Sequence, residues 1–403
     1  MDSILTVNAG SSSLKFAVFE IAAGETRERV RGQVEGLGVR PRFTARERYG
    51  AKHEVPWPVR RPPVTAVEAL KAVLEWLRRT MPEITVGAVG HRIVHGGPDY
   101  SEPVILTEQV LQALQRLAPL APLHQPHNLS GVHAARDLFG DIPQVGCFDT
   151  AFHRQQPWVS DVFALPRGLF DEGVRRYGFH GISYEYIMLT LSCIDPLLAR
   201  GKIVIAHLGN GASMCAVRDG CSMGSTMGFS VLDGLPMGTR CGQLDPGVLL
   251  YLLQEKGLSI EELSHMLYRC SGLKGLSGVS HDMRELEASP LPEAAQAIDY
   301  FVACIRRELG AMAAMLGGLD ALVFTGGIGE NSTHIRERVC QDFEWLGIAF
   351  DRQRNCSKGQ VVSADGSRVR LFVVPTDEEA TIATHTRRLV DAHESTAACR
   401  SPK

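Results

Sequence analysis

The sequence predicts an α/β protein, and three observations predict it. Apolar strand-like runs alternate with long amphipathic helical stretches, a glycine-rich turn follows a strand in three places, and one strand–turn–strand layout occurs twice about half a chain apart. Taken in order, 4–8 and 14–20 read as strands around a Gly-Ser turn. The stretch 64–81 places Val67, Leu70, Val73, Leu74 and Leu77 at helical spacing, and 110–120 does the same. Residues 203–208 and 214–217 are again strands around a small-residue turn. Residues 294–316 form a long amphipathic helix stopped by Gly317-Gly318, and 321–325 and 371–374 are short buried strands.

The repeated layout lies in ILTVNAGSSSLKFAVFE (4–20) and IVIAHLGNGASMCAVRDG (203–220). A duplicated domain accounts for it, although two ordinary hairpins leave the same trace. Segment 38–63, rich in Pro and Arg, reads as a surface excursion, and the small polar tail after Ala392 is expected to fray.

The chain has 403 residues, 44% of them hydrophobic, enough for two or three domains with real cores. Its 42 basic and 45 acidic residues leave a net charge of −3, which is no footprint of a nucleic-acid binder. The amino terminus lacks a cationic stretch followed by an apolar one, so no secretory signal is expected. No run approaches about 18 uninterrupted apolar residues, so no membrane partner is expected. The 10 cysteines are scattered without a C-x-x-C pair, which suits free thiols in a reducing cytoplasm.

The glycine-rich turns are Asn8-Ala9-Gly10-Ser11-Ser12-Ser13, Gly209-Asn210-Gly211-Ala212-Ser213 and Gly326-Gly327-Ile328-Gly329-Glu330-Asn331. Glycine lets successive backbone N–H groups approach phosphate oxygens, and Lys15 adds a point charge beside the first turn. Hairpin turns favour the same residues. Three such turns after buried strands point to a nucleotide site, although none is a P-loop or a Rossmann fingerprint. Arg92 in GHRIVHGG and Arg240 in MGTRCG sit in Gly-flanked segments suited to bidentate contact with carboxylate or phosphate. His124 and His180 join them in PLHQPHN and RRYGFHG. Phosphoryl transfer asks for this kind of positive charge and little covalent help. Asp149 in CFDTAFH, and Glu378 and Glu379 in VVPTDEEA, could hold Mg²⁺ or orient an arginine. Thr376-Asp377-Glu378-Glu379 also reads as a helix start with acidic first-turn residues.

Together these segments resemble the acetate kinase family. The resemblance runs through NAGSSSLKF (8–16), GHRIVHGG (90–97), APLHQPHN (121–128), FDTAFH (148–153), RRYGFHGISY (175–184), AHLGNGAS (206–213), MGFSVLDGLPMGTRCGQLDPG (227–247), GLSGVSHDMRE (275–285), FTGGIGEN (324–331) and PTDEE (375–379), in family order over nearly the whole chain. It implies duplicated ribonuclease-H-like domains of the actin, hexokinase and heat-shock-70 type, with ATP in an interdomain cleft. The implied first domain is 1–149 plus 377–403 and the second is 150–376. A cytoplasmic homodimer using ATP/ADP and acetate, with Mg²⁺ or Mn²⁺, is implied as well.

Residue roles follow by motif position. Asn8 and Glu378 would hold the metal. Lys15, His207, Leu208, Gly209, Asn210, Gly211, Asp282, Met283, Arg284, Gly327, Ile328, Gly329, Glu330 and Asn331 would bind ATP. Arg92 would take the substrate carboxylate, with His124 nearby and Val94, Leu123, Phe179 and Val231 around its alkyl group. Arg240 and His180 would stabilise the phosphoryl group in transfer, and Asp149 is the family's acidic catalytic residue. A carboxylic acid with a pKa of about 4 is already ionised at neutral pH, so acetate needs no base and Asp149 is better read as an orienting group.

Two departures stand out. Asp377 replaces the family's frequent Asn, adding charge beside the proposed metal ligand, and Val231 stands where proline or alanine is found. Val94 resembles acetate kinases, whereas propionate kinases, the nearest alternative, carry a smaller residue there. A non-catalytic actin- or chaperone-like ATP-binding protein is the alternative of another class. It would have no need of Arg92, His180 and Arg240.

Overall fold

The computed structural model describes residues 2–10, 13–22, 24–57, 63, 65–122, 124–357 and 359–400, the last five by backbone alone. The chain forms two compact units, Met1–Ala151 with Asp377–Lys403, and Phe152–Thr376.

The strands of the first unit are β1 (Ser3–Ala9), β2 (Ser13–Ala22), β3 (Glu25–Glu35), β4 (Arg42–Glu47), β5 (His53–Glu54), β6 (Val86–Ile93), β7 (Val104–Ile105) and β8 (Gln144–Phe148). They form one sheet in the order β5-β4-β3-β2-β1-β6-β8-β7. The β1–β6 and β6–β8 pairs are parallel and the others antiparallel. β1 is buried along nearly its whole length, as a strand covered on both faces must be. Helix α1 (Ala66–Thr80) starts at a capping box made by Thr65 and Glu68. Its Trp76 meets Phe16 and Phe43 edge-on, at centroid distances of 6.2 and 5.2 Å. Helix α2 (Gln125–Phe139) packs on β1 and β6, and the C-terminal helix Glu378–Arg400 packs on the same strands.

In the second unit, β9 (Lys202–Leu208), β10 (Ala212–Arg218), β11 (Cys221–Ser225), β12 (Ala321–Thr325) and β13 (Arg370–Val373) run in the order β11-β10-β9-β12-β13. Here too the first three strands are antiparallel and the last two pairs parallel. Its helices include α3 (Gly181–Ile194), α4 (Pro292–Leu316) and α5 (Gly326–Asn331).

The duplication is now explicit. The five strands β3-β2-β1-β6-β8 match β11-β10-β9-β12-β13 in order and direction, giving the duplicated ribonuclease-H-like plan. The two hairpins differ by one residue at the turn, the last pairs being Ala9–Leu14 in the first and Leu208–Ala212 in the second.

Three expectations change. Segment 38–63 is not wholly an excursion, because it supplies β4 and β5, and Phe43, Ala45 and Val55 alternate into the core. Its residues 58–62 lie outside the described ones. The third glycine-rich stretch is helical from Gly326 rather than a simple turn. The tail holds helix to Arg400, since no Gly or Pro interrupts 378–400. No disulfide links the described cysteines. No helix among the described residues is long and apolar enough to cross a membrane.

Candidate active site

In the first unit the site is built at the ends of β1, β6 and β8 and at the start of the C-terminal helix. Arg92, on β6, donates from Nε to Asp149 Oδ1 (3.0 Å) and from Nη2 to Oδ2 (2.6 Å), a bidentate pair just past the end of β8. Asp149 is buried, and Arg92 Nη1 lies 3.4 Å from Glu378 Oε2 in ion-pair range. Burial works against the Arg92 charge, yet Asp149, Glu378 and Glu379 outweigh it and hold the guanidinium above its ordinary value. Burial pushes the Asp149 carboxyl up, and Arg92 opposes that shift. Burial and then Glu378 raise the Glu379 carboxyl too.

Asn128, on α2, ties two strand ends together. Its Oδ1 accepts from the Val94 N–H (2.9 Å) and its Nδ2 donates to the Ala9 carbonyl (2.7 Å). Val94 is buried, and His124 occupies the N-cap position of α2. Asn8 and exposed Lys15 face each other across β1–β2 and so share one face of the hairpin. Ser11, Ser12 and Leu123 lie outside the described residues.

The charge that Asp377 adds has a counterion on β3. Arg31 Nη2 lies 2.5 Å from Asp377 Oδ2, and Arg31 also pairs with Glu28. Asp377 Oδ1 accepts from the Ala380 N–H (3.0 Å), so the same carboxylate caps the C-terminal helix. The capping and ligand readings of this segment therefore divide between neighbours, with Asp377 as cap and Glu378 one residue inside. Among the described residues no three His, Cys, Asp or Glu side chains gather as a metal cage. Magnesium does not ask for one, because it keeps several waters and takes one or two carboxylates with substrate phosphates. One carboxylate, Glu378, and one amide oxygen, Asn8, fit that chemistry.

In the second unit the site gathers around the β9–β10 turn. His180 sits at the N-cap of α3 with φ 57°, a left-handed conformation costly for a residue with a Cβ. His153 holds it there. Its Nε2–H donates to the Phe179 carbonyl (3.0 Å), and its Nδ1 accepts from the Ser222 hydroxyl (2.8 Å). Burial lowers His153 to about 4, so the ring stays neutral and that donor–acceptor order is fixed. Gly178 admits the His153 ring, since a Cβ there would come within 2.5 Å of it.

The His180 and His207 rings stack at 4.3 Å and 17°. Arg240 donates from Nη1 to the Val231 carbonyl (2.9 Å). A Cβ on Gly211 would fall 2.7 Å from Arg240 Nη2 and 3.3 Å from His180 Nε2, so only glycine lets these three groups meet. Gly209 and Gly327 are also neighbours, which joins two of the glycine segments.

Other expected nucleotide contacts are occupied internally. The Asp282 carboxylate caps the helix Met283–Ala288 and pairs with Arg284, which lowers it to about 2. The Arg284 side chain is exposed, and the Met283 and Leu208 side chains are buried. Glu330 accepts from the backbone N–H groups of Gly326 (3.0 Å) and Thr376 (3.2 Å), and Asn331 donates to the Gly327 carbonyl (2.9 Å). Ile328 is half-buried and Gly329 buried. Of this group, Gly327, Asn331 and Arg284 are exposed. Phe179 and Val231 are buried, with their carbonyls serving His153 and Arg240.

Sequence reasoning named neither Asn128, Arg31, Ser183, Tyr184 nor Ser213 as site residues. Ser183 and Tyr184 carried a signal, lying three and four residues after His180 on the face of the same helix start.

The model of the acetokinase family matches residues 3–384. An acetate kinase of Methylocella silvestris is 57% identical over 395 residues, covering 96% of this chain and 98% of the relative. The crystal structure of Porphyromonas gingivalis acetate kinase superposes with a TM-score of 0.86 at 38% identity, covering 97% of this chain and all of that one. A propionate kinase from Francisella tularensis superposes with a TM-score of 0.88 at 33% identity, covering 96% of this chain and all of that one.

Proposed function

The chain belongs to the acetokinase family, and from that premise we infer that it transfers the γ-phosphoryl group of ATP to acetate, giving acetyl phosphate and ADP, reversibly. An acetate oxygen attacks the γ-phosphorus while the bond to the bridging oxygen of the β-phosphate breaks, and ADP leaves with that electron pair. Acetate is already ionised, so no proton moves.

The observation that carries this reading is the Arg92–Asp149 pair. Asp149 occupies one edge of the guanidinium fork, through Nε and Nη2, and Glu378 stands 3.4 Å from Nη1, so two carboxylates orient the guanidinium and the substrate carboxylate would share its Nη1–Nη2 edge with Glu378. Asp149 thus acts through Arg92 and abstracts nothing. Arg240, tethered by one nitrogen to Val231, and His180 beside it would meet the charge on the equatorial oxygens. His207, Gly209, Gly211 and Gly327 would line the phosphates, with Lys15 as a further cation. Asn8 and Glu378 would hold Mg²⁺, which when bound neutralises phosphate charge. Cytoplasmic location and a homodimer belong to the same proposal, on the family resemblance. ADP release that requires added acetate supports the reading, and equal release without any carboxylate overturns it.

Glu378→Ala is expected to raise the magnesium requirement and depress kcat. Loss of a helix-dipole contact alone would cost about 0.3–1 kcal/mol of stability and leave activity in excess magnesium intact. A magnesium titration of activity, paired with melting curves in the absence of metal, separates the two.

Acetate rather than propionate is the proposed acceptor, on Val94. Valine is stiff at χ1 and cannot swing aside to admit another carbon. Val94→Ala should therefore raise kcat/KM for propionate relative to acetate several-fold to about tenfold, bounded by about 0.8 kcal/mol per methylene plus relieved strain. An unchanged ratio in parallel assays would place Val94 away from the substrate's alkyl group.

A further inference from the structure

Two buried hydroxyls decide which ring nitrogen of the stacked histidines carries hydrogen. Tyr184 and Ser213 are both fully buried. The one hydrogen-bond partner of the Tyr184 phenol among the described residues is Ser213 Oγ, at 2.5 Å. Burial holds this phenol well above its ordinary value, so it keeps its proton. A buried O–H must donate somewhere, and the Tyr184 hydrogen has only Ser213 to go to. Ser213 Oγ thereby accepts, and its own hydrogen has one remaining acceptor, His180 Nδ1, at 2.8 Å. An Nδ1 that accepts carries no hydrogen, which puts the ring hydrogen on Nε2.

The neighbouring ring repeats the arrangement. Ser183 is fully buried, and its hydroxyl has one partner among the described residues, His207 Nδ1, at 2.9 Å. The same reasoning puts the His207 hydrogen on Nε2. Both Nε2 atoms face the β9–β10 turn, the one on His180 lying beside Gly211 and Arg240 and the one on His207 nearest Gly209.

We propose that Ser213, which the Tyr184 phenol holds in place, and Ser183 are positioning residues that fix His180 and His207 as Nε2–H donors aimed into the phosphate site. Their hydroxyls act through the two imidazoles. They guarantee that each imidazole presents a donor, and not a lone pair, to phosphoryl oxygen. Two stacked neutral rings also avoid the repulsion that two imidazolium ions would suffer at 4.3 Å. The proposal rests on the phosphoryl-transfer reading for its purpose but not for its test.

The test reads the rings directly. Two-bond ¹⁵N–¹H correlation spectra of protein labelled at histidine nitrogen show which nitrogen of each ring bears hydrogen, without substrate. His180→Gln and His207→Gln assign the signals. The wild type should show the Nε2–H tautomer for both rings at neutral pH. Ser213→Ala should move His180 to the Nδ1–H or a mixed form. It should also lower kcat about tenfold to a hundredfold, as loss of one oriented donor does, with the acetate KM much less affected. Tyr184→Phe should keep the Nε2–H tautomer, because Ser213 still donates. The double variant should recover thermal stability lost in Ser213→Ala, having no stranded phenol, while keeping the altered tautomer. Nδ1–H or doubly protonated rings in the wild type, or an unaltered tautomer in Ser213→Ala, would overturn the proposal. An Nε2–H tautomer in a protein that makes no acyl phosphate would leave the relay standing and sink the reaction instead.

Discussion

Arg92→Leu is expected to destabilise the first unit by about 3–5 kcal/mol, far more than a surface ion pair is worth, because it strands Asp149 as a buried carboxylate without its partner. Denaturant unfolding measures it. Asp149→Asn in the same chain should recover part of the loss, since the neutral amide tolerates burial better. Activity should not return with stability, because the oriented edge of the guanidinium is gone. A loss below about 1 kcal/mol would mean that Arg92 and Asp149 are held as loosely as an exposed pair.

Arg240→Lys should lower kcat by about two orders of magnitude, on the order of 3 kcal/mol of transition-state stabilisation, although the charge is kept. The structure gives the reason. Arg240 gives Nη1 to the Val231 carbonyl, and its Nη2 lies beside Gly211, as does His180 Nε2. An ammonium is a single point and cannot reach both places at once. Unfolding curves should change little. A lysine variant with kcat near the wild type and normal stability would remove Arg240 from the reaction.

The α/β class and the duplicated strand–turn–strand layout were legible in the sequence because buried strands leave continuous apolar runs and hairpins leave Gly, Asn and Ser. Strand β4 and the edge strand β5 were not. The inward positions Phe43 and Ala45 on β4, and Val55 just past β5, lie among Pro and Arg in the sequence, so composition concealed the alternation. The arginines Arg92 and Arg240 announced themselves by charge in glycine-rich surroundings. Asp149 was legible as a group able to orient an arginine, but not as the partner of Arg92, which lies 57 residues away, and Val231 was read for its side chain although it is its carbonyl that holds Arg240. Arg31 and Asp377 are 346 residues apart, and only the register of β3 and the return of the C-terminal helix bring them together. The hydroxyls of Ser183, Tyr184 and Ser213 were least visible, because a serine in a turn or a tyrosine in a helix is common and only burial makes a hydroxyl directional.

Hydroxylamine trapping of acyl phosphate, with MgATP and acetate, propionate or butyrate in parallel, tests the central claim most directly. The account predicts acetyl hydroxamate in proportion to ADP formed, a slower reaction with propionate, slower still with butyrate, and no ADP without a carboxylate. ADP produced at the same rate with no carboxylate, and no hydroxamate with any of the three, would contradict it.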